Sequence, residues 1–149
     1  MKTKFHHIVR GIIIKNNKLL IANYKGHHSF LPGGHVELGE PAEYALIREL
    51  KEEIGIDCEV KRFLGVIENE WQDSENLHYE INHVFEVYSK DLYSDITPIS
   101  KEPHYLEFHW IIPNNENLIT YKIMPEPSVQ RLIEKVQKGD LSNCWISNL

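Results

Sequence analysis

The stretch between Pro41 and Gly55 constrains the fold of this chain most. Ala42, Leu46, Ile47, Leu50 and Ile54 recur at helical spacing and make one apolar stripe. Pro41 suits the first helical position, where a missing N–H does no harm, which leaves Glu40 at the N-cap. Gly55 suits the left-handed position that ends a helix. A helix of this kind has to bury its stripe, and the runs on either side of it read as strands. "HHIVRGIIIKNNKLLIANYK" is two β-branched runs around Asn16-Asn17, a pair that favours a tight hairpin. "DCEVKRFLGVIENEW" and "HYEINHVFEVYSK" read as a long strand pair joined near "QDSEN", and "YLEFHWII" as a further strand. "GHHSFLPGG" reads as a loop, "HVEL" as a short strand and "DLSNCWISNL" as a tail. A second helix is expected in "EPSVQRLIEKVQKG", with Pro127 near its start, Gly139 as its stop, and Val129, Leu132, Ile133 and Val136 as its stripe. Two helices among mixed strands predict one α/β domain over residues 1–149, with helices on both faces of a mixed sheet.

The length of 149 residues suits a single domain. With a formal charge of −6, duplex nucleic acid is not the expected partner. A small phosphorylated ligand remains compatible if a metal supplies positive charge locally. Cys58 and Cys144 have no metal-binding spacing and read as reduced thiols of a cytoplasmic protein. No apolar run is long enough for a signal peptide or a membrane span.

The helix raises an electrostatic problem. Glu43, Glu49, Glu52 and Glu53 lie on it, and Glu40 sits at its start. Like charges three and four residues apart cost roughly 0.2–0.5 kcal/mol per pair. At about 100° per residue, Glu53 lies roughly 40° from Glu49 on one side, and Glu52 roughly 60° on the other. All three adjoin the apolar stripe, at the rim of the core, where partial burial strengthens repulsion. Arg48 and Lys51 project to a different sector, and one arginine is expected to pair one or two acids. A divalent cation relieves several carboxylates at once, and oxygen-only ligands select Mg²⁺ or Mn²⁺. The preceding "PGG" lets backbone approach a ligand or offer a carbonyl to a metal.

Residues 34–56 resemble the Nudix box, G-x5-E-x7-R-E-U-x-E-E-x-G-U, where U is a bulky aliphatic. Gly34, Glu40, Arg48, Glu49, Leu50, Glu52, Glu53, Gly55 and Ile56 occupy its fixed positions without departure. Seven identities at fixed offsets arise by chance on the order of once in 10⁹ starts. The resemblance implies an α/β/α sandwich with a mixed sheet and a loop–helix–loop catalytic motif. It also implies hydrolysis of a nucleoside diphosphate linked to another group. By the same resemblance, Glu49, Glu52, Glu53 and the Gly33 carbonyl would hold Mg²⁺ or Mn²⁺. Arg48 would orient the glutamates, and Glu40 would support the site or bind metal through water. Glu49 or Glu53 would orient or deprotonate the attacking water.

Outside the box, an additional metal-binding acid is expected, with Glu102 the first choice, then Glu80 and Glu107. Arg10 either reaches a substrate phosphate or is structural. Phe30, Trp71 and Tyr24 either stack on a base or pack the core rim. His6-His7 and His27-His28 are adjacent pairs whose members point to opposite faces of a strand, and they read as surface histidines. The expected function is therefore pyrophosphate hydrolysis of a small free nucleotide, similar to MutT-like proteins. ADP-ribose, nucleotide sugars and dinucleotides are the alternative substrates. A non-catalytic nucleotide-binding module is the alternative of another class. A homodimer is expected by base rate alone.

Overall fold

Eleven residue pairs, from Lys2↔Asn76 to Ile12↔Glu86, join the first strand in parallel to a strand from the middle of the chain. This pairing is the spine of the fold. The computed structural model describes residues 1–101 and 106–149. Its strands are β1 (Lys2–Ile12), β2 (Ile14–Lys15), β3 (Lys18–Tyr24), β4 (Ser29–Phe30), β5 (Gly33–His35), β6 (Glu59–Gln72), β7 (Asn76–Tyr88), β8 (Leu106–Ile111) and β9 (Trp145–Ser147). Its helices are α1 (Ala42–Ile54), α2 (Asn115–Thr120) and α3 (Ser128–Gln137).

One mixed sheet runs β5-β1-β7-β6-β9, and a second contains β2-β3-β4 with β8 paired to β3. β6 and β7 form the expected long antiparallel pair, with register shifts between Val60 and Arg62 and between Phe63 and Gly65. The Asn16-Asn17 hairpin is present, and both residues adopt the positive φ, 50° and 62°, that a primed turn requires. The helices cover both faces of the sheet, as expected. On one side α1 buries Ala45, Leu46, Leu50 and Ile54 against Val9, Phe85 and Val87. On the other, α3 buries Val129, Leu132 and Ile133 against Ile12, Leu64, Ile67 and Val84. Residues of one strand thus alternate between the two cores, as Val9 and Ile12 do.

Several local expectations are corrected. The tail contains β9, which pairs in parallel with β6 through Val66↔Trp145, Ile67↔Ile146 and Glu68↔Ser147. With only three residues it has no periodicity to read. α2 is a third helix, short and capped by the Asn114 side chain, which accepts from Asn117 N–H. The "GHHSFLPGG" segment is not wholly loop, since Ser29-Phe30 pairs with β3 and Gly33–His35 pairs with β1. The strand expected at "HVEL" therefore lies earlier. The N-cap of α1 is Pro41 rather than Glu40, because Pro41 is extended (φ −63°, ψ 138°) and helical geometry begins at Ala42. Gly55, at φ 78°, ends α1 and donates its N–H to Leu50 and Lys51 carbonyls, as expected.

Candidate active site

β5 and α1 place two glycines against a glutamate. Gly33 has φ 149°, and a Cβ there would lie 2.0 Å from the Val9 carbonyl oxygen of the paired strand. Only glycine fits this approach. A Cβ on Gly34 would lie 2.4 Å from the Glu49 carboxyl carbon. The absence of a side chain at Gly34 is what lets the Glu49 carboxylate lie on the β5 backbone.

Arg48 organises the other acids. Its Nε donates to Glu40 Oε2 at 2.8 Å and its Nη2 to Glu40 Oε1 at 2.9 Å. Its Nη1 donates to Glu49 Oε1 and Glu52 Oε2, both at 3.2 Å, and its Nη2 also reaches the His35 carbonyl at 3.1 Å. The guanidinium therefore binds three acids where one or two were expected. Its long stem carries the planar five-donor fork back over the start of the helix. Glu40, freed from capping, folds onto this fork and also accepts from the Glu37 N–H. Those bonds, the Arg48 contact first, hold the Glu40 carboxyl down at about 2. Glu40 in turn raises the Arg48 pKa further above its ordinary value.

Glu49 behaves oppositely. Burial pushes its pKa up, Arg48 opposes the shift, and Glu52 adds to it. Its charge is thus incompletely compensated by the protein. Glu53 faces a second cation: burial lowers the pKa of Arg10, and the largest opposing attraction on Arg10 comes from Glu53, followed by Glu80. The acidic helix accordingly lies between two arginines, Arg48 from its own surface and Arg10 from β1.

Arg10 and Phe30 come together. The guanidinium carbon sits 4.9 Å from the Phe30 ring centroid, and Nη1 donates to the Leu31 carbonyl at 3.2 Å. Tyr24 meets Phe30 edge-on at 5.0 Å. Trp71 does not join this group. It stacks on His78, with centroids 3.7 Å apart and planes 3° apart, and donates Nε1–H to Glu80. Glu80 also accepts from Asn69 and Asn82, so three donors already hold it. Glu107 is paired with Lys25 at 3.9 Å and His109 at 3.7 Å. Glu102 lies outside the described residues.

Sequence reasoning missed one cluster. His6 is not a free surface histidine; it bonds His35 and His78, and His78 bonds Asp73. The adjacent "HH" gave no sign of this, because the partners are brought together only by the register of β1, β5 and β7. His7, His27 and His28 are exposed, as expected.

Among the described residues, no three acidic, histidine or cysteine side chains already converge at metal-ligand spacing. Glu49 and Glu52 instead share one nitrogen of Arg48. The donor chemistry nevertheless suits a hard cation. The donors are all oxygens, one carboxylate is partly buried with its charge disfavoured, and the backbone beside it carries no side chain.

A glycine loop feeding an acidic helix, on a mixed sheet covered by helices on both faces, defines a recognised class of α/β protein. The chain belongs to the Nudix family: the NUDIX domain model matches residues 5–130. An ADP-ribose pyrophosphatase of Methanocaldococcus jannaschii is 39% identical over 89 residues, covering 56% of this chain and 52% of that protein. An 8-oxo-dGTP diphosphatase of Proteus vulgaris is 38% identical over 79 residues, covering 49% of this chain and 70% of that protein. The chain thus spans about half the length of the archaeal relative. In fold it is similar to the MutT protein of Methanosarcina mazei Go1, with a TM-score of 0.68, 18% identity and coverage of 94% of this chain and 98% of that one. No helix among the described residues is long and apolar enough to cross a membrane.

Proposed function

We propose that this protein is a divalent-metal-dependent pyrophosphohydrolase acting on a small free nucleotide of the nucleoside triphosphate type. The observation that carries the reading is the seating of Glu49 on Gly34. The fold spends a glycine to bring a partly buried, under-compensated carboxylate onto the backbone, which is intelligible if a cation completes the site. Glu49, Glu52, Glu53 and the Gly33 carbonyl would hold Mg²⁺ or Mn²⁺. When bound, the metal supplies charge neutralisation on the phosphates and activation of water.

The protein's own groups do the rest. Arg48 holds Glu49 and Glu52 on one nitrogen and ties both to the Glu40 side chain, so the acids keep their geometry when substrate charge arrives. Arg10 stands between the acidic helix and the Phe30 ring. There it meets a phosphate oxygen, while Phe30 and Tyr24 offer aromatic surface to a base. Glu53, facing Arg10, or Glu49, with its raised pKa, accepts the proton of the attacking water. Glu80, held by Asn69, Trp71 and Asn82, lends attraction to Arg10 and is read as a supporting acid.

A second substrate reading, ADP-ribose, is favoured by the archaeal relative. The test is a panel of nucleoside triphosphates, 8-oxo-dGTP, ADP-ribose and dinucleotides, each with Mg²⁺, with Mn²⁺ and with chelator. Metal-dependent release of pyrophosphate from a triphosphate is expected. Turnover of ADP-ribose alone would replace the substrate assignment, and turnover of nothing by folded protein would favour a binding module.

A further inference from the structure

A continuous chain of side-chain hydrogen bonds runs from the β6–β7 turn to the end of β5. It starts at Asp73, whose Oδ1 accepts from the backbone N–H groups of Glu75 at 2.8 Å and Asn76 at 2.7 Å. Its Oδ2 lies 2.9 Å from His78 Nε2. His78 Nδ1 lies 2.8 Å from His6 Nε2, and His6 Nδ1 lies 3.0 Å from His35 Nε2. The His35 backbone carbonyl then accepts from Arg48. Three strands contribute, and the Trp71 ring lies flat over His78.

With the imidazoles uncharged, the Asp73 carboxylate sets the direction of this chain. The Glu75 backbone N–H first, then His78 and the Asn76 backbone N–H, hold Asp73 well below the usual carboxylate range. An ionised carboxylate only accepts, so His78 carries its proton on Nε2. When the ring is uncharged it presents Nδ1 as an acceptor, which requires N–H on His6 Nε2. By the same step His35 carries its proton on Nε2. All three imidazoles are therefore the same tautomer, each set by the one before it.

The receiving end needs such an anchor. β5 has only three residues, two of them glycine, and glycine gives a strand little intrinsic stiffness. We infer that His6 is a positioning residue: through His78 and Asp73 it anchors His35, and so fixes the Gly33–Gly34 backbone and the carbonyl that Arg48 uses. This rests on the metal-site reading of that loop, because the benefit is a backbone held still beside Glu49.

The first test needs no variant. At pH 8, ¹⁵N NMR of the imidazoles is expected to show Nε2–H tautomers for His6, His35 and His78. In Asp73→Asn the turn amides keep the side-chain oxygen, so the amide N–H₂ faces His78 and all three tautomers should invert to Nδ1–H. Wild-type tautomers that differ from one another, or that stay put in Asp73→Asn, would overturn the chain.

The second test compares His6→Leu, which breaks the chain, with His6→Gln, which keeps one donor and one acceptor. His6→Leu is expected to speed amide exchange of residues 33–36 at least about tenfold, with α3 unchanged. It is also expected to weaken Mn²⁺ binding, measured by calorimetry without nucleotide, by about tenfold. His6→Gln should recover most of both. Exchange or Mn²⁺ affinity at the wild-type level in His6→Leu would overturn the positioning role. If the wild type bound no Mn²⁺ at all, the metal-site reading would fail, and amide exchange alone would then decide the anchoring.

Discussion

Arg48 grips both oxygens of Glu40, at 2.8 and 2.9 Å, across a turn of chain that neither residue shares with a strand. This fork locks the loop before α1 to the middle of α1. A lysine cannot reproduce two parallel bonds. Arg48→Lys should lower kcat/KM by roughly 10–100-fold, as loss of a ligand-orienting partner does. A variant within threefold of wild type in steady-state kinetics would count against the fork.

The same pair has a pH signature. The Glu40 carboxyl is depressed in the fold from its ordinary 4.5 to about 2. Its stabilising contribution is therefore complete above pH 4.5 and is lost as pH falls from there through 2. The difference in melting temperature between wild type and Glu40→Gln should shrink over that window and be flat above it. Thermal melts at several acid pH values measure it.

Glu49 has the opposite sign. Its folded pKa is raised by burial, so its ionised form costs stability once the pH passes the unfolded value near 4.5. Metal-free Glu49→Gln should melt higher than wild type at pH 7, while its metal-dependent turnover falls by at least about a hundredfold. A variant that melts lower at pH 7, or that keeps its activity, would contradict the assignment of strain to this carboxylate.

Glu53→Gln preserves shape and removes the charge that faces Arg10. Hydrolysis of the preferred nucleotide should fall by more than about tenfold. Because Glu53 is the largest attraction opposing the burial of Arg10, the double variant Glu53→Gln, Arg10→Met should be more stable than the sum of the single changes predicts. Denaturant melts of the four proteins provide the cycle.

The two loop glycines should separate fold from site. Gly33→Ala places a methyl against the Val9 carbonyl and should cost on the order of 3 kcal/mol in stability. Gly34→Ala meets a movable carboxylate, so it should cost stability less and metal affinity more, with Mn²⁺ binding weakened about tenfold. Equal losses in both proteins on both measurements would remove the distinction.

The long-range plan of this molecule was largely legible, because α1, β6, β7 and α3 carry long periodic patterns and clear punctuation. Short elements were not: β4, β5 and β9 have two or three residues each and exist only because a neighbouring strand pairs with them. In the site, the glutamate cluster could be placed from helical spacing. The reach of Arg48 could not, since a direction of projection at Cβ says little about where a four-bond stem delivers its charge. For Trp71 base stacking and rim packing were both open, and the structure stacks it on His78, a partner set by the β6–β7 register. Arg10 is the reverse case. Its sequence context left phosphate binding and structure open, and the fold aims it at Glu53 while seating it on Phe30.

The parallel union of β1 with β7 has a kinetic meaning. Lys2 must find Asn76, and Ile12 must find Glu86, so the glycine loop and the acidic helix lie wholly inside the segment that this pairing closes. Closing so large a loop carries an entropic cost before any contact repays it, and parallel strands with distant partners form slowly. During synthesis the glutamates emerge well before the strand that completes their support. The acidic site is thus expected to be among the last parts of the molecule to become rigid, and a chain interrupted before β7 holds the residues of the box without the framework that supports them.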